Sequence, residues 1–250
     1  MDYRNCELCP RRCGVDRAAG ERGWCGAPDT ALVAKTMLHQ WEEPVLAPNG
    51  KSGAVFFGGC TLGCVYCQNR AISAACVGAE ADSERLRSIM DDLIVQGAEN
   101  IDLVTPTHYL PTIIPALSPK LPVPVVYNCG GYERVETLRQ LDGKIDIYLP
   151  DLKYTDPNLG KTLSGAADYF DYAPKAILEM YRQQPKLVWN EDGTLRQGLI
   201  VRHLILPGAW KDSLKLLEWL DGALPKDGFL LSLMRQYTPN AACADYPEIN

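Results

Sequence analysis

The sequence predicts an α/β fold with a parallel sheet or barrel at its centre, and three observations predict it. Six short runs between residues 54 and 233 are almost continuously apolar, as strands covered on both faces are. Helical or irregular segments separate them, the pattern of right-handed βαβ units. Small and polar residues gather just after the runs, where parallel α/β sheets and barrels bind their ligands. A chain of 250 residues suits one large domain or two small ones, and is about the length of an α/β barrel.

The expected strands are 54–57, 101–105, 123–128, 145–149, 199–206 and 229–233. The expected helices are 83–96, 109–117, 134–141, 173–184 and 210–220. In the first helix Leu86, Ile89, Met90, Leu93 and Ile94 follow the i, i+3, i+4, i+7 pattern of one buried face. Ser83 is its expected N-cap and Gly97 its stop. The loops to inspect for chemistry read GGCTLGC, TPTHY, NCGGY, PDLKY, LPGAW and MRQY.

Apolar residues make up 46% of the chain and the formal net charge is −6. A sizeable core follows, and a broad basic surface for nucleic acid does not. The opening MDYRNCELCPRRCG has no apolar signal region, and no apolar run reaches about 18 residues. A cytoplasmic protein with no membrane partner is expected. Residues 49–53, Asn-Gly-Lys-Ser-Gly, echo part of a phosphate-binding loop. Val45 stands where that loop needs Gly, and a strand follows instead of a helix, so phosphate binding there is rejected.

Ten cysteines are present, and seven fall in two tight clusters. In a reducing compartment such clusters point to metal ligands or redox chemistry. Residues 1–30 hold four of them with little apolar periodicity, and are expected to be a cysteine-rich module that needs metal to fold. Residues 31–50 are read as a connecting segment and residues 51–250 as the main domain.

Cys60-Thr-Leu-Gly-Cys64-Val-Tyr-Cys67 has C-x3-C-x2-C spacing. Three thiolates on one loop suit three irons of a [4Fe–4S] cube, with the fourth iron open to a non-protein ligand. Gly58, Gly59 and Gly63 let such a loop wrap closely. A thioredoxin-like reading of Cys64-x-x-Cys67 leaves Cys60 unused. The loop, including Tyr66 before the third cysteine, resembles the signature of the radical S-adenosylmethionine (SAM) superfamily. The phrases WEEP, GGCTLGCVYCQN, DLVTPTHYLP, PVVYNCGGYE, DIYLPDLKY, RHLILPG and LMRQYTP resemble its subfamily related to pyruvate formate-lyase activating enzymes.

The resemblance implies a partial (β/α)6 open parallel barrel, in keeping with six strands. It implies a [4Fe–4S] cluster on Cys60, Cys64 and Cys67 whose open iron binds SAM. Reductive cleavage would give methionine and a 5′-deoxyadenosyl radical that abstracts hydrogen from a substrate. An electron donor such as flavodoxin or ferredoxin, and a protein or peptide substrate, are the implied partners. The superfamily's Gly-Gly-Glu stretch is replaced here by Thr105-Pro106-Thr107-His108-Tyr109. A ferredoxin-like insertion after the loop is absent, so activation of pyruvate formate-lyase itself is not inherited.

Tyr66, Thr105, Thr107, Asn128 and Arg202 are the expected SAM-side residues. Adjacent strand residues point to opposite faces, so only one of Arg202 and His203 can face the barrel interior. Asp151 and Lys153 are expected to meet the substrate, across the barrel from the cluster, or to form a structural ion pair. His108 is expected to take a substrate role. Glu42 and Glu43 are read as solvated or capping. Cys6, Cys9, Cys13 and Cys25, spaced C-x2-C-x3-C-x11-C, suit a zinc site or an auxiliary [4Fe–4S] cluster, and spacing does not choose. Rival readings are a glycyl-radical-enzyme activase and a non-catalytic metal-binding scaffold. The last residues, Ala-Asp-Tyr-Pro-Glu-Ile-Asn, end no recognisable element, so a version extended by a helix is expected to be more stable.

Overall fold

The computed structural model describes residues 2–250. Residues 2–30 form no helix or strand. The elements then run β1 (Ala31–His39), β2 (Ser52–Phe57), α1 (Arg70–Ser73), β3 (Ala79–Ala81), α2 (Ser83–Val95), β4 (Asn100–Val104), α3 (Leu110–Ala116) and β5 (Val125–Cys129). They continue with α4 (Val135–Leu138), β6 (Ile147–Pro150), α5 (Pro157–Ser164), α6 (Tyr169–Gln183), β7 (Val188–Trp189), β8 (Leu195–Leu204), α7 (Trp210–Ala223) and β9 (Leu230–Met234).

The six predicted strands are β2, β4, β5, β6, β8 and β9, and they pair in that order, all parallel. Antiparallel β1 and β3 extend the β2 side, so the sheet curves without closing. Register fixes the two faces. Val55, Leu103, Tyr127, Tyr148 and Val201 pack with helix residues such as Met90, Ile113 and Ile177 in the main core. The alternate residues Val126, Ile147, Leu149 and Ile200 form a second, smaller core on the concave side, closed from below by Leu46. This is the two-sided burial that makes parallel strands read as apolar runs.

Segment 31–50 is not merely connecting. Its first nine residues are β1, whose burial alternates only at Ala31 and Val33 before becoming half-exposed. A strand so weakly buried carries little period-2 signal. The rest of the segment turns under the barrel and inserts Leu46. The cap of α2 is also one residue earlier than expected. Asp82 Oδ1 accepts the Arg85 N–H at 2.8 Å, while Ser83 Oγ donates to the Thr112 carbonyl at 2.8 Å. Gly97 follows α2 with φ +97°, as a stop requires. Helix α6 starts at Tyr169, earlier than its Pro174 suggests, and α1 and α5 are additional. Near the C-terminus Cys243 and Ile249 are buried. No helix among the described residues is long and apolar enough to cross a membrane.

Candidate functional site

The Cys60–Cys67 loop leaves the C-terminal end of β2, the first parallel strand. Gly59 takes φ +83° under the Cys25 carbonyl, where an added Cβ would come within 2.6 Å of that oxygen. All three sulfurs accept hydrogen bonds: Cys60 from the Leu62 N–H (3.4 Å), Cys64 from Ser164 Oγ (2.9 Å) and Cys67 from Ser73 Oγ (3.4 Å). A thiol sulfur accepts weakly and a thiolate more strongly, so these donors would favour the thiolate form. Burial alone opposes that charge, raising the Cys64 thiol and pushing Cys60 up to about 12, so a bound cation is what would hold them ionised. Among the described residues no three His, Cys, Asp or Glu side chains converge as a single metal ion requires. Three thiolate donors on one loop are a donor set that suits three irons of a [4Fe–4S] cube.

A chain of hydroxyls backs Cys64. Tyr66 and Tyr154 hydroxyls are in contact, and Tyr154 lies 2.9 Å from Ser164 Oγ. Each hydroxyl has one proton. With Ser164 donating to sulfur, Tyr154 donates to Ser164 and Tyr66 to Tyr154. Tyr66 is therefore a buried support beneath the loop, with its hydroxyl committed inward.

The concave face carries one charged network. Arg202 donates from Nη2 to Asn128 Oδ1 (2.6 Å) and from Nε to Asp151 Oδ1 (3.0 Å), and its Nη1 stands 3.6 Å from Glu42. Lys153 Nζ donates to Asp151 Oδ2 at 2.7 Å. Asn128 Nδ2 donates to Asp102 Oδ2 at 3.2 Å. Burial raises the Asp151 carboxyl, but Lys153 and Arg202 outweigh it and hold it below the usual range. Asp102 goes the other way: burial first, then Glu42, hold it well above the usual range. Its Oδ1 has no donor, so as the neutral acid it is placed to donate to Glu42. His203 lies on the opposite face, between the Leu152 carbonyl and Ser213 Oγ. Arg202 is the member of that pair turned inward.

Several expected site residues stand elsewhere. Thr107 is buried, with its hydroxyl given to Glu133 Oε1 at 2.7 Å and approached by Tyr127 from the convex side. His108 is buried, its Nε2 2.8 Å from the Gly58 carbonyl. Neither reaches the concave space. Only Thr105, at φ +60° with its N–H on the Asn128 carbonyl, stays at the strand ends. Asp151 and Lys153 do form an ion pair, yet they do not lie across the barrel from the cluster loop. Curvature brings the chain after β6 round to it: Tyr154 and Ser164 support Cys64, and the Lys153 charge lowers the Cys64 thiol. Glu42 is not solvated, its side chain being 9% exposed beside Arg202.

Asp102, Glu42 and Ser164 are the residues the sequence reading missed. Asp102 had a signal, one carboxylate inside the apolar run Ile-Asp-Leu-Val. The N-terminal cysteines gather as a group. Cys6, Cys9, Cys13 and Cys25 line one cavity with Arg17 and His108. All ten cysteines are free.

The open parallel barrel of six strands is a fold shared with solved structures. SuiB of Streptococcus suis bound to S-adenosylmethionine shares the fold, with a TM-score of 0.53 at 14% identity over 77% of this chain and 41% of that one. SuiB bound to its precursor peptide SuiA gives 0.51 at 14% identity, over 77% and 39%. The chain thus spans about two fifths of the SuiB chain, and no family model matches it. Uncharacterized protein MJ0674 of Methanocaldococcus jannaschii is 30% identical over 258 residues, covering 99% of this chain and 70% of that protein. The chain belongs to the family of MJ0674.

Proposed function

We propose that the chain is a radical SAM enzyme that reductively cleaves S-adenosylmethionine at a [4Fe–4S] cluster held by Cys60, Cys64 and Cys67. The observation that carries this reading is the loop itself: three acceptor sulfurs at the mouth of a charged concave face, in a fold shared with a protein solved with S-adenosylmethionine bound. Such a cluster, once reduced, supplies one electron to the sulfonium and so releases a 5′-deoxyadenosyl radical.

The chain's own residues divide the remaining work. Gly59 and Gly63 let the loop turn tightly, and Ser164 and Lys153 place polar hydrogen and positive charge toward Cys64. Asn128, Thr105 and Arg202 face the space beside the loop and are the proposed contacts for the methionyl end. Of the three Arg202 contacts, the one to Glu42 is the longest, and is the one a ligand carboxylate would replace. Asp151 joins Arg202 to Lys153, so cofactor and substrate roles are coupled through it.

Within this class we propose the group related to pyruvate formate-lyase activating enzymes, on the phrases quoted from the sequence. A one-electron donor of flavodoxin or ferredoxin type is required by the chemistry. A peptide is the substrate class to test first, because the fold neighbour SuiB is solved with a precursor peptide. A cytoplasmic setting fits ten free thiols.

Anaerobically reconstituted protein given S-adenosylmethionine and dithionite is expected to form 5′-deoxyadenosine and methionine. Cys60→Ala, Cys64→Ala or Cys67→Ala is expected to reduce that product to background. A triple variant that still forms it would sink the proposal, and a wild-type protein that never forms it would favour the scaffold reading.

A further inference from the structure

We propose that Cys6, Cys9, Cys13 and Cys25 hold a second four-iron cluster, seated directly behind the first loop. The inference does not rest on SAM chemistry. Four observations on the N-terminal segment carry it.

The four cysteines, up to nineteen positions apart, line one cavity, with Cys13 at its exposed side, although nothing in residues 2–30 is helical or extended. A segment without regular structure has few ways to hold four side chains together, and a shared metal centre is one of them. The sulfurs are also met by backbone donors. Trp24 N–H reaches Cys13 Sγ at 3.4 Å, and the N–H groups of Arg11 and Ala27 face the sulfurs of Cys9 and Cys25. The i+2 spacing of the last two repeats what Leu62 does for Cys60.

A buried cation supplies the third observation. Arg17 is 1% exposed, and among the described residues no carboxylate forms an ion pair with it. Its partners are the carbonyls of Pro28 and His108, the Tyr3 ring, and Cys6 Sγ at 3.9 Å. A fully buried guanidinium without counter-charge is costly. Four thiolates around iron would be a net anion, and the sulfurs are the acidic groups at hand. Fourth, His108 lines the same cavity with Nδ1 as a buried polar atom that has no partner.

We take iron–sulfur over zinc from the ligand pattern: three near cysteines and a distant fourth lack the paired C-x2-C knuckles of many zinc sites, and four thiolates can hold the four irons of a cube.

The site's location gives it a second consequence. Thr61, inside the first loop, lines the cavity. Arg11, between Cys9 and Cys13, donates to the carbonyls of Thr61 (3.0 Å), Leu62 (3.3 Å) and Ser164 (3.1 Å), and Trp24 Nε1 donates to Leu62 (3.2 Å). Metal binding would therefore order the same segment that clasps the first loop.

The test is metal analysis of two full-length proteins reconstituted anaerobically with iron and sulfide, with zinc measured in parallel. A Cys60/Cys64/Cys67→Ala variant is expected to retain about four iron and four sulfide per chain, with the Mössbauer signature of a four-iron cube, and the wild type about eight of each. A folded variant carrying about one zinc, or no metal, overturns the proposal. Should that variant be insoluble, a Cys6/Cys9/Cys13/Cys25→Ala variant decides: a loss of about four iron relative to the wild type supports the second cluster, and an unchanged iron count overturns it. A variant and a wild type that both hold about four iron would keep the N-terminal cluster and remove the proposed function instead.

Discussion

Ser164 shows how much one side chain outside any motif can matter. It ends α5, more than ninety residues beyond the loop, yet its hydroxyl is 2.9 Å from Cys64 Sγ and its carbonyl accepts from Arg11. Hydrogen bonds to cluster sulfurs favour the more reduced, more negative state and so raise the potential. Replacing Ser164 by Ala removes one such bond, a net loss of about 1 kcal/mol, or roughly 40 mV for one electron. The S164A protein is therefore expected to show a lower midpoint potential in an anaerobic EPR titration, with iron content unchanged. An unaltered potential would make the contact structural only. Asp102 is a different case. Its neutral carboxyl depends on Glu42, sixty positions earlier, and on burial that only the folded barrel provides. The unusual residue is visible in the sequence, but its partner is not.

At the scale of elements, the cap of α2 separates two neighbouring residues that sequence preference treats alike. Asp82 accepts the Arg85 N–H, and Ser83 instead joins α2 to the start of α3 through Thr112. Loss of an N-cap costs about 0.5–2 kcal/mol. Asp82→Ala is thus expected to lower thermal stability, whereas Asp82→Ser, which supplies a hydroxyl cap, is expected to keep most of it. Asp82→Asn should behave like the wild type, and equal melting of the Ala and Asn variants would remove the assignment. β2, β4, β5, β6 and β8 were legible because burial on both faces makes them largely apolar, with Asp102, Asn128 and Arg202 among the polar exceptions, whereas β9 was legible from its leucines although it is half-exposed. β1 was not, since it is antiparallel and half-exposed. α5 was overlooked although it carries its signals: Asp156 caps it, Pro157 opens it and Gly165 closes it at φ +60°.

Across the whole molecule, what the sequence showed was local and what it hid was distant. Cysteine spacing needs no fold to be seen, so both cysteine clusters stood out. Thr107 and His108 follow a strand end and looked available, but the 3-10 turn that begins at Thr107 folds them under the sheet edge, toward Glu133 and Gly58. Lys153 was placed on the far side because strand order was read without curvature. The open sheet brings the chain after β6 back to the first loop, a relation that no count of strands contains.

Arg11 ties its own carbonyl partners together across very different times in the life of the chain. Thr61 is made fifty residues after it and Ser164 more than one hundred and fifty after it. At synthesis rates of about 5–20 residues per second, the clasp waits roughly 8–30 s for its last partner. His108 is the last lining residue of the early cysteines' cavity to be made, so that cavity is incomplete until well after Thr61. Iron delivery to the proposed N-terminal site then follows the synthesis of His108 rather than taking place on the isolated segment. Ribosome-bound chains stalled before residue 100 are expected to take up no iron at these cysteines, whereas chains stalled well beyond residue 150 are expected to do so. Uptake by the short chains would show that the segment closes around metal unaided.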